Sequence, residues 1–201
     1  MIEINSISKK IGDKQLFQNF TARIDDAAFV VITGESGSGK TTLLNMIGGI
    51  DDVDSGEILI NGKSLTSFSR IDLYRNEIGF LFQNFALIEK KTVEENLNLV
   101  MRKNRTNISI SEALKRVGLS GVEKKKVYQL SGGEQQRIAL ARLMIKKCNI
   151  ILADEPTGSL DSRNSNIVME QLHMLNKEEK TIIMVTHNLQ LLQEATMSIT
   201  L

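Results

Sequence analysis

Cysteine is nearly absent from this 201-residue chain. A lone thiol at Cys148 supports neither an internal disulfide framework nor a thiolate metal cluster, which fits a reducing compartment. Its expected role is a small apolar filler ahead of a buried strand. Proline is as rare: Pro156 is the single one, so hard chain breaks are few and its position carries information. An excess of one charge is also missing, with 25 basic against 24 acidic residues, which argues against nucleic acid as a partner. No apolar run approaches the ~18 residues of a spanning helix, and the start MIEINSISKK lacks the basic-then-apolar layout of a signal peptide. The expectation is a chain soluble on its own. Repeats and low-complexity segments are lacking too, and the one charge run, Lys124 to Lys126, reads as a solvated loop. The length allows one sizeable core, or one core with a small attached lobe.

What is present centres on residues 34–42, GESGSGKTT. They fit G-x-x-x-x-G-K-[ST] with Gly34, Gly39, Lys40 and Thr41 at the defining positions. The apolar, β-branched run 28–33 (AFVVIT) precedes them, and a helical pattern from 40 to about 50 follows, ending near Gly48-Gly49. Strand, glycine loop and helix in that order make a phosphate cradle: small residues let successive N–H groups turn inward, and a helix N-terminus adds about half a positive charge. Lys40 is placed to reach β- and γ-phosphates and Thr41 to ligate Mg²⁺. Glu35, Ser36, Gly37, Ser38 and Thr42 complete the nucleotide-binding loop.

Elsewhere, residues 1–9 and 16–24 alternate apolar and polar as two half-buried antiparallel strands, and 56–60 is a short strand closed by the Asn61-Gly62 turn. The run 78–82 (IGFLF) delivers Gln83 at its end. From residue 84 to about 130 helical patterns take over, which suggests an inserted helical lobe. Thr92 with Glu95 forms a capping box ahead of a stripe Val93, Leu97, Val100, and a second helix over 111–117 stops at Gly118. Ser131 caps a long amphipathic helix reaching about 145, and Asp161 caps another running to about 176. The continuous apolar runs 149–153 and 181–185 mark strands covered on both faces. The class is therefore α/β, with a mostly parallel core sheet, an N-terminal antiparallel part and helices on both sides.

Further chemistry collects at strand ends. Asp154 and Glu155 follow one apolar run and Pro156 stops it; carboxylates there lie where parallel sheets bind ligands. Asp154 is the candidate Mg²⁺ carboxylate, acting mainly through water, and Glu155 the candidate base for an attacking water. His187, past the other run, is placed to donate to a γ-phosphate, and Gln83 to sense metal and water. His173 carries no partner signal. The stretch LSGGEQQR at 130–137 sets Ser131, Gly132 and Gly133 at a helix N-terminus, a second anion-binding end without a lysine.

Taken together these segments resemble the ATP-binding-cassette ATPases over nearly the whole chain. By that resemblance GESGSGKTT is a Walker A motif, Gln83 the Q-loop glutamine, LSGGEQQR the signature, IILADE a Walker B motif, Ser159-Leu160-Asp161 the D-loop and His187 the switch histidine. It implies ATP and Mg²⁺ as ligands and a head-to-tail homodimer, in which Ser131 and Gly133 of one copy close on the γ-phosphate held by the other. ADEPTGSLD and FQNFALIEKKTVEENL are similar to the lipoprotein-releasing, macrolide-exporting and peptide- or bacteriocin-exporting ATPases. That implies a cytoplasmic ATPase peripheral to the membrane, hydrolysing ATP to drive export through a separate integral-membrane subunit docked on the helical lobe. Phe82, Phe85, Leu87 and Ile88 are the candidate contacts, burial within the lobe being the alternative.

The division ATPase that signals through a membrane partner shares much of the pattern and is the alternative function. Chromosome- and repair-type ATPases with the same head carry long coiled coils, and no sustained heptads occur here; translation-factor relatives join two cassettes through a basic linker that this chain lacks. A cassette that binds ATP without hydrolysis is disfavoured by Glu155 with His187. Two departures stand out. Where the family has an aromatic residue stacking on adenine the chain has Ile11, which predicts modest ATP affinity and weak discrimination against GTP. The chain also stops at Leu201, soon after the last expected helix, which implies that the extra strands and regulatory tail of many relatives are missing.

Overall fold

The computed structural model describes residues 1–158 and 160–201, and holds two sheets with helices packed around them. In chain order the elements are β1 (Ile2–Ile11), β2 (Lys14–Ile24), β3 (Phe29–Thr33), α1 (Lys40–Ile47), β4 (Ser55–Ile60), β5 (Lys63–Ser64), α2 (Arg70–Asp72) and β6 (Ile78–Leu81). They continue with α3 (Val93–Leu97), α4 (Ile110–Arg116), α5 (Gly132–Ile145), β7 (Ile150–Asp154), α6 (Ser162–Lys177), β8 (Thr181–Val185) and β9 (Met197–Thr200).

The antiparallel sheet has the order β2-β1-β4-β5, and the parallel sheet β6-β7-β8-β3-β9. The hairpin from β4 to β5 turns on Asn61 and Gly62, with φ of 52° and 72°, and pairs Ile60 with Lys63. Two successive left-handed residues make a turn whose twist matches the strands, and Asn and Gly tolerate it best.

The apolar runs are continuous because both faces of the parallel sheet are covered. Phe29 and Val31, Ile151 and Ala153, Ile182 and Met184 face one core with α3, α4, α5 and α6. Their neighbours Val30 and Ile32, Ile150 and Leu152, Ile183 and Val185 face a second core under α1 and the antiparallel sheet. Strand side chains alternate, so each run must be apolar at every position. Residues 84–130 supply α3 and α4, whose Val93, Leu97, Ala113 and Leu114 join the first core without a break. Cys148 is buried at the edge of that core, and burial pushes its thiol pKa up.

One expectation needs correction, and two stretches have no counterpart in the sequence pattern. The stripe through Val100 does not mean a long helix: α3 stops at Leu97, and Val100 packs on the core from the loop beyond. Residues 63–77, silent in the sequence pattern, hold β5, α2 and wide helical turns over Leu73–Glu77. The sequence pattern also leaves β9 unmarked, although it pairs parallel with β3 through Val30↔Met197 to Thr33↔Thr200. Only Ile199 of β9 is buried, so four residues show too little pattern to reveal the strand; its partner defines it.

The consequence for function is positional. Four parallel strands, β3, β6, β7 and β8, end on the same edge of the sheet, and their C-terminal ends launch the loops at 34–39, 82–83, 154–155 and 186–187.

Candidate functional site

The loop between β3 and α1 is shaped by close approaches. Gly34 has φ 147°, and a Cβ built there would lie 2.3 Å from Leu201 O and 2.9 Å from Ser38 Oγ. Gly39, at φ 105°, leaves no room for a side chain, since a Cβ there would lie 3.0 Å from the Phe17 ring, and it opens α1 with no side-chain cap, so first-turn N–H groups stay available. Lys40 is buried to 6% exposure, and its ammonium donates to Gly34 O at 3.0 Å and Glu35 O at 2.8 Å. Ser38 Oγ is buried with no hydrogen-bond partner among the described residues. A buried lysine, an uncapped helix end and an orphaned hydroxyl together make an unsatisfied cationic cradle, which an anion completes.

A cavity of about 690 Å³ opens beside the cradle and is walled by Ser36, Gly37, Gly39, Lys40, Thr41 and Thr42 together with Gln83, Asp154, Glu155 and His187. Thr41 Oγ1 donates to Asp154 Oδ1 at 3.2 Å, and burial raises the Asp154 pKa against the pull of Thr41 and Lys40. A hydroxyl, a carboxylate and an adjacent amide, all hard oxygen donors and few in number, fit Mg²⁺, which keeps most of its shell as water and phosphate oxygen. Glu155 accepts from the His187 backbone N–H at 3.4 Å, and His187 Nε2 lies 3.3 Å from Glu155 Oε1 without hydrogen-bond alignment. Burial raises the Glu155 pKa too, with His187 opposing. At φ 47° Glu155 is a non-glycine residue in the left-handed region, a cost of ~1–3 kcal/mol that a structure retains where a side chain must be aimed.

Ile11 does line this cavity, 55% exposed, and no Phe, Tyr or Trp is among its walls in the described residues. Glu35, by contrast, contributes its carbonyl rather than its carboxylate, accepting from Lys40 and from the Ser38 N–H at 3.2 Å. The signature residues stand apart. Ser131 Oγ accepts from Glu134 N at 3.3 Å and Glu134 Oε2 from Ser131 N at 2.8 Å, closing a capping box at the start of α5; Ser131, Gly132 and Gly133 are not walls of the cavity. Asp161 caps α6 by accepting from Asn164 N at 2.8 Å and is likewise outside. Ser159 lies outside the described residues.

The four candidate docking residues divide. Phe85 and Leu87 pack partly buried on the first core, which answers to the alternative of burial, while Ile88 is 44% exposed. Phe82 stacks on Phe80 and walls a second cavity of about 650 Å³ with Tyr74, Leu99, Met101 and Arg142.

Two residues near the site, Lys14 and Arg142, escaped the motif reading, and a third, Gln136, lies in the LSGGEQQR stretch without an assigned role. Lys14 lines the nucleotide-sized cavity and donates to Gly37 O at 2.8 Å. Arg142 of α5 donates to Phe85 O at 3.0 Å and Ala86 O at 2.5 Å, gripping two residues with φ of 63° and 46° just after Gln83, and burial lowers its pKa. Gln136 donates to Pro156 O at 3.0 Å, beside Glu155. All three act across long sequence separations on backbone carbonyls, which no local pattern announces.

Comparison with known proteins gives the same picture. A family profile described as ABC transporter matches residues 17–158. Among similar chains are MacB of Mannheimia succiniciproducens, a macrolide export ATP-binding/permease protein, 41% identical over 94% of this chain, and the ABC transporter ATP-binding protein YxdL of Bacillus subtilis, 39% identical over 94% of this chain and 78% of its own. The phosphonates import ATP-binding protein PhnC of Lactobacillus gasseri is 38% identical over 96% of this chain and 81% of its own. The chain spans 31% of the length of that MacB relative, about a third. In structure it is similar to the ATP-binding cassette MJ0796 in a dimeric post-hydrolysis state bound to ADP and Pi, with TM-score 0.87 and 35% identity over all of this chain and 94% of that one.

Proposed function

The chain belongs to the ABC transporter family as an ATP-binding, ATP-hydrolysing cassette, and from that premise we propose that it is the motor of a bacterial exporter, working with Mg²⁺ as a head-to-tail pair on the cytoplasmic side of a separate membrane subunit. The observation that carries the reading is the single cavity joining Ser36, Gly37 and residues 39–42 to Gln83, Asp154, Glu155 and His187, while the helix end at Ser131 to Gly133 stays outside it.

Lys40 exchanges its carbonyl partners for β- and γ-phosphate oxygens, and Ser38 gains the partner it lacks. Thr41, Asp154 and Gln83 would hold Mg²⁺, which would supply charge neutralisation of the phosphates. Glu155 takes a proton from water, and His187, now beside Glu155, orients it toward the γ-phosphate. Ser131 keeps its N–H on the Glu134 carboxylate, while its hydroxyl and the Gly132 and Gly133 N–H groups at the start of α5 serve the nucleotide of a second copy, with the Asp161 loop at the same junction. Residues 1–83 and 131–201 form the catalytic part, and 84–130 the helical lobe, with α5 continuing from it to 145. The 650 Å³ cavity with Phe82, at the border of lobe and sheet, suits an apolar element of the membrane subunit.

Direction is the finer question. The MacB relative favours export and the PhnC relative import. Inside-out vesicles carrying the chain with its membrane subunit decide it: ATP-driven accumulation of a labelled macrolide or peptide is expected, and ATP-driven release of a preloaded solute overturns export. Full ATP turnover with movement of neither solute supports the division-type alternative.

A further inference from the structure

The first two turns of α5 touch the loop from 155 to 161 and its continuation into α6 at two points. Gln136, 2% exposed, donates to Pro156 O, next to Glu155. One residue later the Arg137 guanidinium donates to Asn164 Oδ1. Asn164 Nδ2 donates in turn to Asp161 Oδ2 at 2.6 Å. A Cβ on Gly133 would lie 2.9 Å from Asn164 Nδ2, so the amide rests directly against the backbone of that glycine. One side chain thus fills the space between the signature glycine, the arginine one turn further along the same helix and the carboxylate that caps α6.

We propose that Asn164 is a positioning residue, which locks the helix end carrying Ser131 and Gly133 to the loop joining Glu155 to Asp161. The proposal rests on the two-copy reading above. When the nucleotide of a second copy closes on Ser131 and Gly133, the force on the start of α5 passes through Asn164 to Asp161 and, through Gln136, to Pro156 beside Glu155. Capping and bridging are separable here. The cap uses the Asn164 backbone N–H, which any substitution but proline keeps; the bridge uses only the side-chain amide. Arg137 Nε is already buried without a partner among the described residues, so loss of the amide leaves that guanidinium poorly held and α5 free to tilt.

The test is Asn164→Ala, in the otherwise native chain and together with Glu155→Gln, which arrests hydrolysis. Single-subunit affinity for a fluorescent ATP analogue is expected to stay within about twofold, because Asn164 touches no part of the cavity. The ATP concentration at which the Glu155→Gln chain sediments as a dimer is expected to rise roughly 2- to 30-fold, and the Hill coefficient for ATP turnover to fall toward 1. Asn164→Asp, near-isosteric, keeps an acceptor for Arg137 and loses the donor to Asp161, so it is expected to fall between; it replaces the alanine variant if that one unfolds. An unchanged dimerisation midpoint and Hill coefficient overturn the proposal, as does a loss of analogue affinity in parallel with them. If Glu155→Gln alone fails to dimerise with ATP, the two-copy reading falls instead.

Discussion

Glu155 combines a left-handed backbone, a partly buried carboxyl with its pKa pushed above the ordinary value, and His187 at 3.3 Å. A base works in its ionised form, so turnover should rise with pH through that elevated pKa and fall as acid protonates it. Glu155→Gln should lower the rate of phosphate release by about 10²- to 10⁴-fold and erase this acidic limb. Steady-state release at the native rate would remove Glu155 from the role. Ile11, which lines the same cavity, makes the complementary case for the proposed base contact. Replacing it by Tyr supplies a ring worth ~0.5–1.5 kcal/mol, so ATP should bind about 2- to 12-fold more tightly, with GTP gaining less. Equal dissociation constants before and after, for both nucleotides, would show that position 11 does not meet the base. Glu155 is singled out by its place at a strand end and Ile11 by the family resemblance; the pairing of Glu155 with His187 was not legible, since 32 residues separate them and only the adjacency of β7 and β8 joins their ends.

Among the elements, β9 ties the end of the chain to the cradle. Leu201 N donates to Thr33 O at 3.0 Å, and Leu201 O occupies the place a side chain at 34 would need. Gly34→Ala therefore overpacks a junction of two backbones at positive φ and should destabilise the fold by ~1–3 kcal/mol in urea unfolding. Native stability would mean that β9 gives way freely. Helix caps were read correctly at Thr92, Ser131 and Asp161 because a cap is a contact between residues three apart. Lengths were read less well: the apolar stripe of α3 outlasts the helix, since packing on the first core keeps Val100 apolar in a loop.

At the scale of the whole molecule, one subunit holds a complete cradle and, outside that cavity, a donor end at Ser131 to Gly133. Sedimentation of the Glu155→Gln chain should therefore show a monomer without nucleotide and a dimer with ATP and Mg²⁺; a monomer under both conditions would mean that the second anion end has another use. Dimer formation also sets the meaning of the Asn164 bridge, which has work to do only when α5 is loaded from outside.

The sequence by itself determined the fold class, the phosphate loop, the strand-end acids and the helix caps. Each of these is written within a few consecutive residues as side-chain alternation, glycine spacing or a three-residue hydrogen-bonded reach. Only the tertiary structure decided that β9 exists, that Glu155 faces His187, that Arg142 grips the loop after Gln83, and that the signature end lies off the cavity. Those depend on which strands neighbour one another and on which carbonyls a long side chain meets, contacts between distant parts of the chain that leave no local pattern. The glycine loop is readable in nine letters; the grip of α5 on the loops around it is a property of packing.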